Sequence, residues 1–263
     1  MAEDDYVLSY TAEASERERL GLIERIVDPF SQRHLATLGI QQGWRCLEVG
    51  AGHGAMARWL AEQVGPQGRV VATDINPRFL TEIELPNVEV RQHDIRTDPL
   101  EPGTYDLAHC RAVLTHLPDP LLAVKRMVAA LRIGGWLLVE EPDFSSLRAV
   151  DAEHPLAEFF NRKTREIFER VMAHSSAYNA YFGCRLRGLL EDAGLADIGN
   201  EGRTLIARGA ELHAKRQCMA LQAFMERGLL SQAKCADLEK VYSDPSFSYI
   251  TTTAFAAWGK RAG

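Results

Sequence analysis

Seven residues constrain this chain more than any others: Glu48-Val49-Gly50-Ala51-Gly52-His53-Gly54. They end a short run, 45–49, that reads as a β-strand. They open a helical pattern over 55–64, where Met56, Trp59, Leu60 and Val64 recur at helical spacing. Glycine at 50 and 52 permits positive φ and lets the backbone come close to a ligand. The helix start behind them offers free N–H groups and the positive end of a dipole. Asp74 follows Gly52 by 22 residues, at the end of a second predicted strand over 69–73. A carboxylate there can accept hydrogen bonds from both hydroxyls of a ribose. Gly50, Gly52 and Ala55 also satisfy the dinucleotide pattern G-x-G-x-x-G/A, so the loop by itself does not choose the cofactor.

The rest of the first half repeats this strand–helix rhythm. Strands are predicted at 88–93, ending at Asp94, at 105–110 and at 136–140. A helix is predicted over 120–131, stopped by Gly134-Gly135. Before the first strand, Ser15 and Glu18 have capping-box spacing, and Ile23, Ile26, Val27 and Phe30 form an amphipathic stripe. The alternation predicts a doubly wound, mostly parallel sheet in an α/β fold. After Phe144 the pattern changes. Residues 154–193, 212–225 and 231–241 have helical spacing, and strands are predicted at 198–207 and 247–258. The two late strands are expected to add an antiparallel edge. The expected layout is one domain: an N-terminal helical segment to residue 40, a cofactor core over 41–143, a helical lid over 144–195, and C-terminal edge strands and helices over 196–263.

Composition narrows the class. Hydrophobic residues make up 46% and charged residues 25% of the 263, enough apolar material for a sizeable core. The net charge of −6 and the lack of a Lys/Arg run disfavour nucleic acid and anionic membranes as partners. No apolar run approaches the roughly 20 residues of a membrane span. Met1-Ala2-Glu3-Asp4-Asp5 is acidic and has no signal-peptide pattern. The five cysteines are scattered, with no CxxC pair. These features lead to the expectation of a cytoplasmic protein with reduced thiols.

With these residues in hand, the chain resembles the class I S-adenosylmethionine-dependent methyltransferases, in particular the small-molecule branch of ubiquinone/menaquinone-type and antibiotic-tailoring enzymes. Besides the glycine loop, the matching stretches are Val71-Ala72-Thr73-Asp74-Ile75-Asn76-Pro77 and Gln92-His93-Asp94-Ile95. Further matches run from Tyr105 to Asp119 and from Leu131 to Glu140. The resemblance covers roughly 10–143. It implies a Rossmann-like, seven-stranded fold, S-adenosyl-L-methionine as cofactor and a small-molecule acceptor, with a homodimer compatible. It places Glu48, Gly50, Ala51 and Gly52 around the methionine part, Asp74 on the ribose with Ile75 beside the adenine, and Asp94 and Ile95 on the adenine. Arg111 would lie beside the cofactor, and Tyr10 would close its pocket.

Methyl transfer from a sulfonium mainly requires a positioned nucleophile and a dry site. A base is needed only when the acceptor must lose a proton. His116 is the candidate, with loop anchoring as its other reading. Phe144, His154, Phe159, Tyr178 and Tyr181 are candidates to line an acceptor pocket, although aromatics at helical spacing also serve as core. Glu140, Glu141 and Asp143 cluster after the fifth strand. Cys110-Arg111 offers no carboxylate at the end of the fourth, so no metal is expected. Two other readings stay open: an NAD(P)-dependent oxidoreductase, and a methyltransferase scaffold that binds the cofactor without transferring methyl.

Overall fold

A computed structural model describes residues 13–175 and 177–263. The chain forms two compact units. One, the sheet unit, comprises 27–141, 182–202 and 255–263. The other, the helical unit, comprises the described part of 1–26 with 142–181 and 203–254.

The large sheet has seven strands in the order β3-β2-β1-β4-β5-β10-β7. These are β1 (Arg45–Val49), β2 (Arg69–Asp74), β3 (Val88–Gln92), β4 (Tyr105–Arg111), β5 (Leu131–Asp143), β7 (Leu195–Arg203) and β10 (Thr253–Arg261). The first five pair in parallel, with Val49 opposite Thr73 on one side and Cys110 on the other. The late strands supply the antiparallel edge. Strand order therefore runs outward from β1 to β3 and restarts at β4 on the other side of β1. Ligands of such sheets bind at the carboxyl ends of the strands flanking this reversal. The glycine loop leaves the sheet at that place. Strands flanked on both sides read as apolar runs because both faces are covered. Leu47, Val49, Val71, Ala108, Cys110, Leu137 and Val139 all lie in one buried cluster.

Local signals explain the helices. α2 (Ala55–Val64) buries Met56, Leu60 and Val64, one face at four-residue spacing. α3 (Pro120–Ala130) starts where Asp119 Oδ1 accepts the Leu122 N–H at 3.0 Å, with Pro120 in the first turn. α1 (Glu13–Thr37) already includes Ser15, which is therefore not its cap. Phe30 and Leu35 are its fully buried apolar residues, whereas Ile23, Ile26 and Val27 are half-buried. The expected glycine stop after α3 lies inside β5 instead. Gly134, at φ 77°, and Gly135 sit where the β4–β5 register shifts between Tyr105 and Leu107. A Cβ on Gly135 would come within 2.9 Å of the Tyr105 carbonyl oxygen, so the bulge needs glycine.

The helical unit contains α4 (Ala157–His174), α6 (Leu212–Glu226) and α7 (Gln232–Ser243), with β6 (Arg148–Ala149), β8 (Ile206–Arg208) and β9 (Ser248–Ile250) in the order β6-β9-β8. Its core is aromatic: Phe160, Phe168, Phe224, Phe247 and Tyr249 are buried together. Both late strands expected from the sequence, 198–207 and 247–258, are cut in two at one node. Thr251 exchanges backbone and side-chain hydrogen bonds with Leu205, at 2.8 and 3.1 Å, and the Thr204 and Thr253 hydroxyls are 2.7 Å apart. On one side of this node β7 and β10 belong to the large sheet. On the other, β8 and β9 form the small one. The expected lid segment is likewise shared: 144–181 belongs to the helical unit, and 182–195, including α5 (Leu186–Asp192), belongs to the sheet unit.

Candidate functional site

The glycine loop is folded onto the end of β2. The Gly50 and Ala51 N–H groups both donate to the Thr73 carbonyl at 2.9 Å. Gly50 has φ 70°, and a Cβ there would fall 2.2 Å from Val113 Cγ2, so no larger residue fits without displacing the Val113 side chain. Gly52, at φ 56°, donates its N–H to Asp74 Oδ2 at 2.9 Å, and the Asn76 N–H donates to Oδ1 at 2.9 Å. Each Asp74 oxygen thus holds one backbone donor and keeps acceptor capacity for another. Burial raises the Asp74 pKa, against the pull of the Asn76 and Gly52 hydrogen bonds. Ile75 beside it is 42% exposed, an apolar face at the strand end.

At the end of β3, Asp94 carries an internal partner. The Arg96 guanidinium forks onto it, with Nε–Oδ1 2.8 Å and Nη2–Oδ2 2.6 Å. A ligand amino group would have to share this carboxylate with Arg96. Ile95 is buried, and its carbonyl accepts from Arg126 at 3.0 Å.

After β4, Arg111 reaches back to α1, donating to the Ser31 hydroxyl and to Asp28, each at 2.8 Å. Ala112 adopts φ 54°, unusual for a residue with a Cβ. The next turn is held by Glu141, whose Oε1 accepts the N–H groups of Val113 at 2.9 Å and Leu114 at 2.6 Å. Burial pushes the Glu141 carboxyl up to about 8, against those two donors. The turn Leu114–His116 presents His116 only 5% exposed, with Leu114 and Leu117 in the adjoining core.

Sequence reasoning missed what lies behind the loop. Glu48 on β1 stands in register with His109 on β4, and His109 with Leu138 on β5, two residues before Glu140. The three polar side chains share a sheet face. His109 Nδ1 lies 2.7 Å from Glu48 Oε2, and its Nε2 lies 3.0 Å from Glu140 Oε2. His34 of α1 continues the chain to Glu140 at 3.5 Å and to Glu201 at 3.3 Å, where Arg33 completes it at 2.6 Å. Burial opposes charge on His109, but the flanking carboxylates of Glu48 and Glu140 overcome it and raise its pKa to about 9. Burial likewise opposes charge on Glu140, and the His109 hydrogen bond, with His34 close by, holds it low. Glu48 thus faces the sheet interior, two residues before Gly50. The available signal was one ionisable residue within or ending the apolar centre of each strand: Glu48 in CLEV, His109 in LAHC and Glu140 after WLLV.

The acceptor candidates all belong to the helical unit. Phe144 packs on Phe168 with ring centroids 4.3 Å apart, and Tyr178 is buried in the same core. Phe159 and Tyr181 are only partly buried against that core. His154 caps a turn, accepting the Leu156 N–H at Nδ1, and sits edge-on to Phe247. Tyr10 lies outside the described residues. Of the acidic trio after β5, Glu140 and Glu141 are engaged as above, and Asp143 accepts from the Ser145 N–H and hydroxyl. Among the described residues, no group of three or more His, Cys, Asp or Glu is arranged to hold a metal ion. None of the described helices is long and apolar enough to cross a membrane.

A family model described as a methyltransferase domain matches residues 15–198. Two curated relatives align at 32% identity. One is an uncharacterized 37.1 kDa protein in transposon Tn4556 of Streptomyces fradiae, over 82% of this chain and 63% of its own length. The other is methyltransferase str3 of Strobilurus tenacellus, over 68% of this chain and 62% of its own. The chain therefore spans less than two thirds of either relative. Among solved structures, phosphoethanolamine N-methyltransferase 2 of Haemonchus contortus in complex with S-adenosyl-L-methionine has a TM-score of 0.52 and 18% identity, over 93% of this chain and 52% of that one. At that identity the likeness shows the fold.

Proposed function

Because this chain belongs to the class I S-adenosylmethionine-dependent methyltransferase family, we propose that it transfers a methyl group from S-adenosyl-L-methionine to an O, N or C atom of a small-molecule acceptor. The observation that carries this is the junction of the glycine loop with Asp74. The residues there suit that cofactor. Gly50 leaves no room for a Cβ, the loop backbone is drawn onto β2, and the Asp74 oxygens keep acceptor capacity for a pair of hydroxyls. The exposed Ile75 side chain offers an apolar surface for a flat ring.

When bound, the cofactor supplies a methyl group already made electrophilic by a sulfonium charge. The chain's own task is positioning. Gly50, Ala51 and Gly52 shape the loop, Asp74 orients the sugar, and Ile75, Asp94 and Ile95 bound the adenine side. Glu48 acts through His109, fixing the strand from which the loop departs. Arg111 acts through Ser31 and Asp28, fixing α1 beside the end of β4. His116 is the proposed base for an acceptor that must lose a proton. Its place in the Glu141-held turn also fits loop anchoring. Phe159 and Tyr181, partly buried in the helical unit, are the aromatic side chains we assign to the acceptor, with Phe144, Tyr178 and His154 supporting them. The same reading makes the protein cytoplasmic, without a nucleic-acid partner, and compatible with a homodimer.

The family match leaves the oxidoreductase reading without support. Calorimetric titration with S-adenosylhomocysteine, S-adenosylmethionine and NAD tests the cofactor directly. Micromolar binding of the first two, about −8 kcal/mol, is expected, with NAD much weaker. Tight NAD binding with no response to S-adenosylhomocysteine overturns the reading. Binding without formation of S-adenosylhomocysteine across an acceptor panel would instead indicate a scaffold that does not transfer methyl.

A further inference from the structure

Among the described residues, one cation of the helical unit has no counter-charge. Arg216 lies on α6, partly buried. Two contacts fix the neighbouring helix beside it. Lys215 Nζ is 2.8 Å from Glu18 Oε1, and Leu22 packs with Met219 and Ala223. Residues 18–22 of α1 therefore run alongside 215–219 of α6, which brings Arg19 next to Arg216. Arg19 is neutralised by Glu16, with Nε–Oε2 2.8 Å and Nη2–Oε1 2.6 Å, both side chains being buried. Arg216 forms no hydrogen bond or ion pair with the described residues. Its strongest electrostatic neighbours are Arg19, Tyr178, Tyr249 and Tyr242, and His213 on the same helix also feels its charge.

The tyrosines add a second observation. Tyr249 is the central residue of the small sheet, opposite Ala149 on β6 and Ala207 on β8. It is fully buried, its ring lies 5.4 Å from that of Tyr242, and its hydroxyl has no hydrogen-bond partner among the described residues. A buried hydroxyl left without a partner is destabilising, and a partly buried guanidinium without a counter-charge favours a bound anion. Burial, followed by the adjacent Arg19, lowers the Arg216 pKa, although a guanidinium stays protonated at any physiological pH. Arg216, unpaired among the described residues, and the Tyr249 hydroxyl are both donors, and one acceptor with two oxygens and a negative charge suits both. A guanidinium fork matches a planar carboxylate in two parallel hydrogen bonds.

We propose that Arg216, with the Tyr249 hydroxyl, binds the carboxylate of a small organic acid within the helical unit. The aromatic surroundings suit a carboxylate carried on an apolar or aromatic body.

Benzoate and its neutral isostere benzamide are the probes, titrated into the full chain by calorimetry or ligand-observed NMR. Saturable benzoate binding is expected, with benzamide at least about tenfold weaker. Arg216→Gln should lose benzoate binding, while Arg216→Lys, which keeps the charge but not the fork, should retain part of it. Tyr249→Phe should weaken benzoate severalfold. Melting curves and the S-adenosylhomocysteine dissociation constant check that each variant is folded. Equal binding of benzoate and benzamide, no benzoate binding, or full binding by a folded Arg216→Gln overturns the proposal. Failure of the methyltransferase reading appears separately, as loss of S-adenosylhomocysteine binding with benzoate binding intact.

Discussion

Asp74 holds two backbone donors and, in the proposed function, two ribose hydroxyls. Asp74→Asn keeps the size but replaces one oxygen by a donor, so the Gly52 and Asn76 N–H groups and the sugar compete for what remains. Charge-assisted hydrogen bonds are worth about 1.5–3 kcal/mol each. Asp74→Asn should therefore weaken S-adenosylhomocysteine binding at least about tenfold, and calorimetry on a folded variant reads it. An unchanged dissociation constant removes Asp74 from the ribose. His116 invites a different measurement. As a base, its replacement by glutamine should lower kcat by roughly 10²–10⁴ with cofactor affinity kept. As an anchor of the Leu114–His116 turn, it should lower Tm and raise KM while kcat survives. Its burial in the turn favours the second outcome. A kcat within threefold of wild type takes His116 off the list of bases.

Strands β1, β4 and β5 are joined by more than their ladders. The His109 imidazole spans Glu48 and Glu140 across all three, directly beneath the glycine loop. Replacing it by leucine leaves two buried carboxylates without their cation, a loss of about 3–5 kcal/mol and a Tm lower by roughly 10 °C. The sign of the pH dependence follows from the same geometry. His109 is raised on folding to about 9, so its contribution is complete below an unfolded value of about 6.5 and is lost as pH rises through 9. Glu141 is also raised, to about 8, so its contribution is complete below about 4.3 and fades as pH rises through 8. Glu140 is held low and acts the other way, losing its contribution only in acid. Stability from denaturant unfolding should therefore fall between about pH 6.5 and 9. A flat profile over that interval would mean that folding leaves His109 uncharged.

The whole molecule offers two units with different cores. The sheet unit is built on strands buried on both faces, and its cofactor candidates lie at strand ends. The helical unit is an aromatic cluster around a three-stranded sheet. Hydrogen exchange followed by mass spectrometry should show the slowest amides in β1, β4 and β5. S-adenosylhomocysteine should add protection to the glycine loop and to the turn after β2. An organic acid bound at Arg216 should protect α6 and β9 instead. Protection spread evenly over the chain by either ligand would contradict separate sites.

Much of the sheet unit is determined by sequence alone, because its signals are local. Asp119-Pro120 starts a helix wherever it meets an apolar stripe. Gly50, Gly52 and Asp74 mark two adjacent strand ends because β1 and β2 are consecutive and parallel. Apolar runs of five or six residues identify strands that must be covered on both faces. The tertiary structure alone decided what depends on distant partners. Two apparently continuous strands break at Thr204–Leu205 and Thr251–Thr253 because those residues hydrogen-bond to one another, 46 to 49 positions apart. Glu48, His109 and Glu140 look like unrelated polar interruptions until register aligns them on one face. Arg216 reads as an ordinary helix arginine until α1 is laid alongside α6 and Glu16 is found to belong to Arg19. Charge pairing is a property of which side chains meet, and a one-dimensional pattern holds no record of that beyond one or two helical turns.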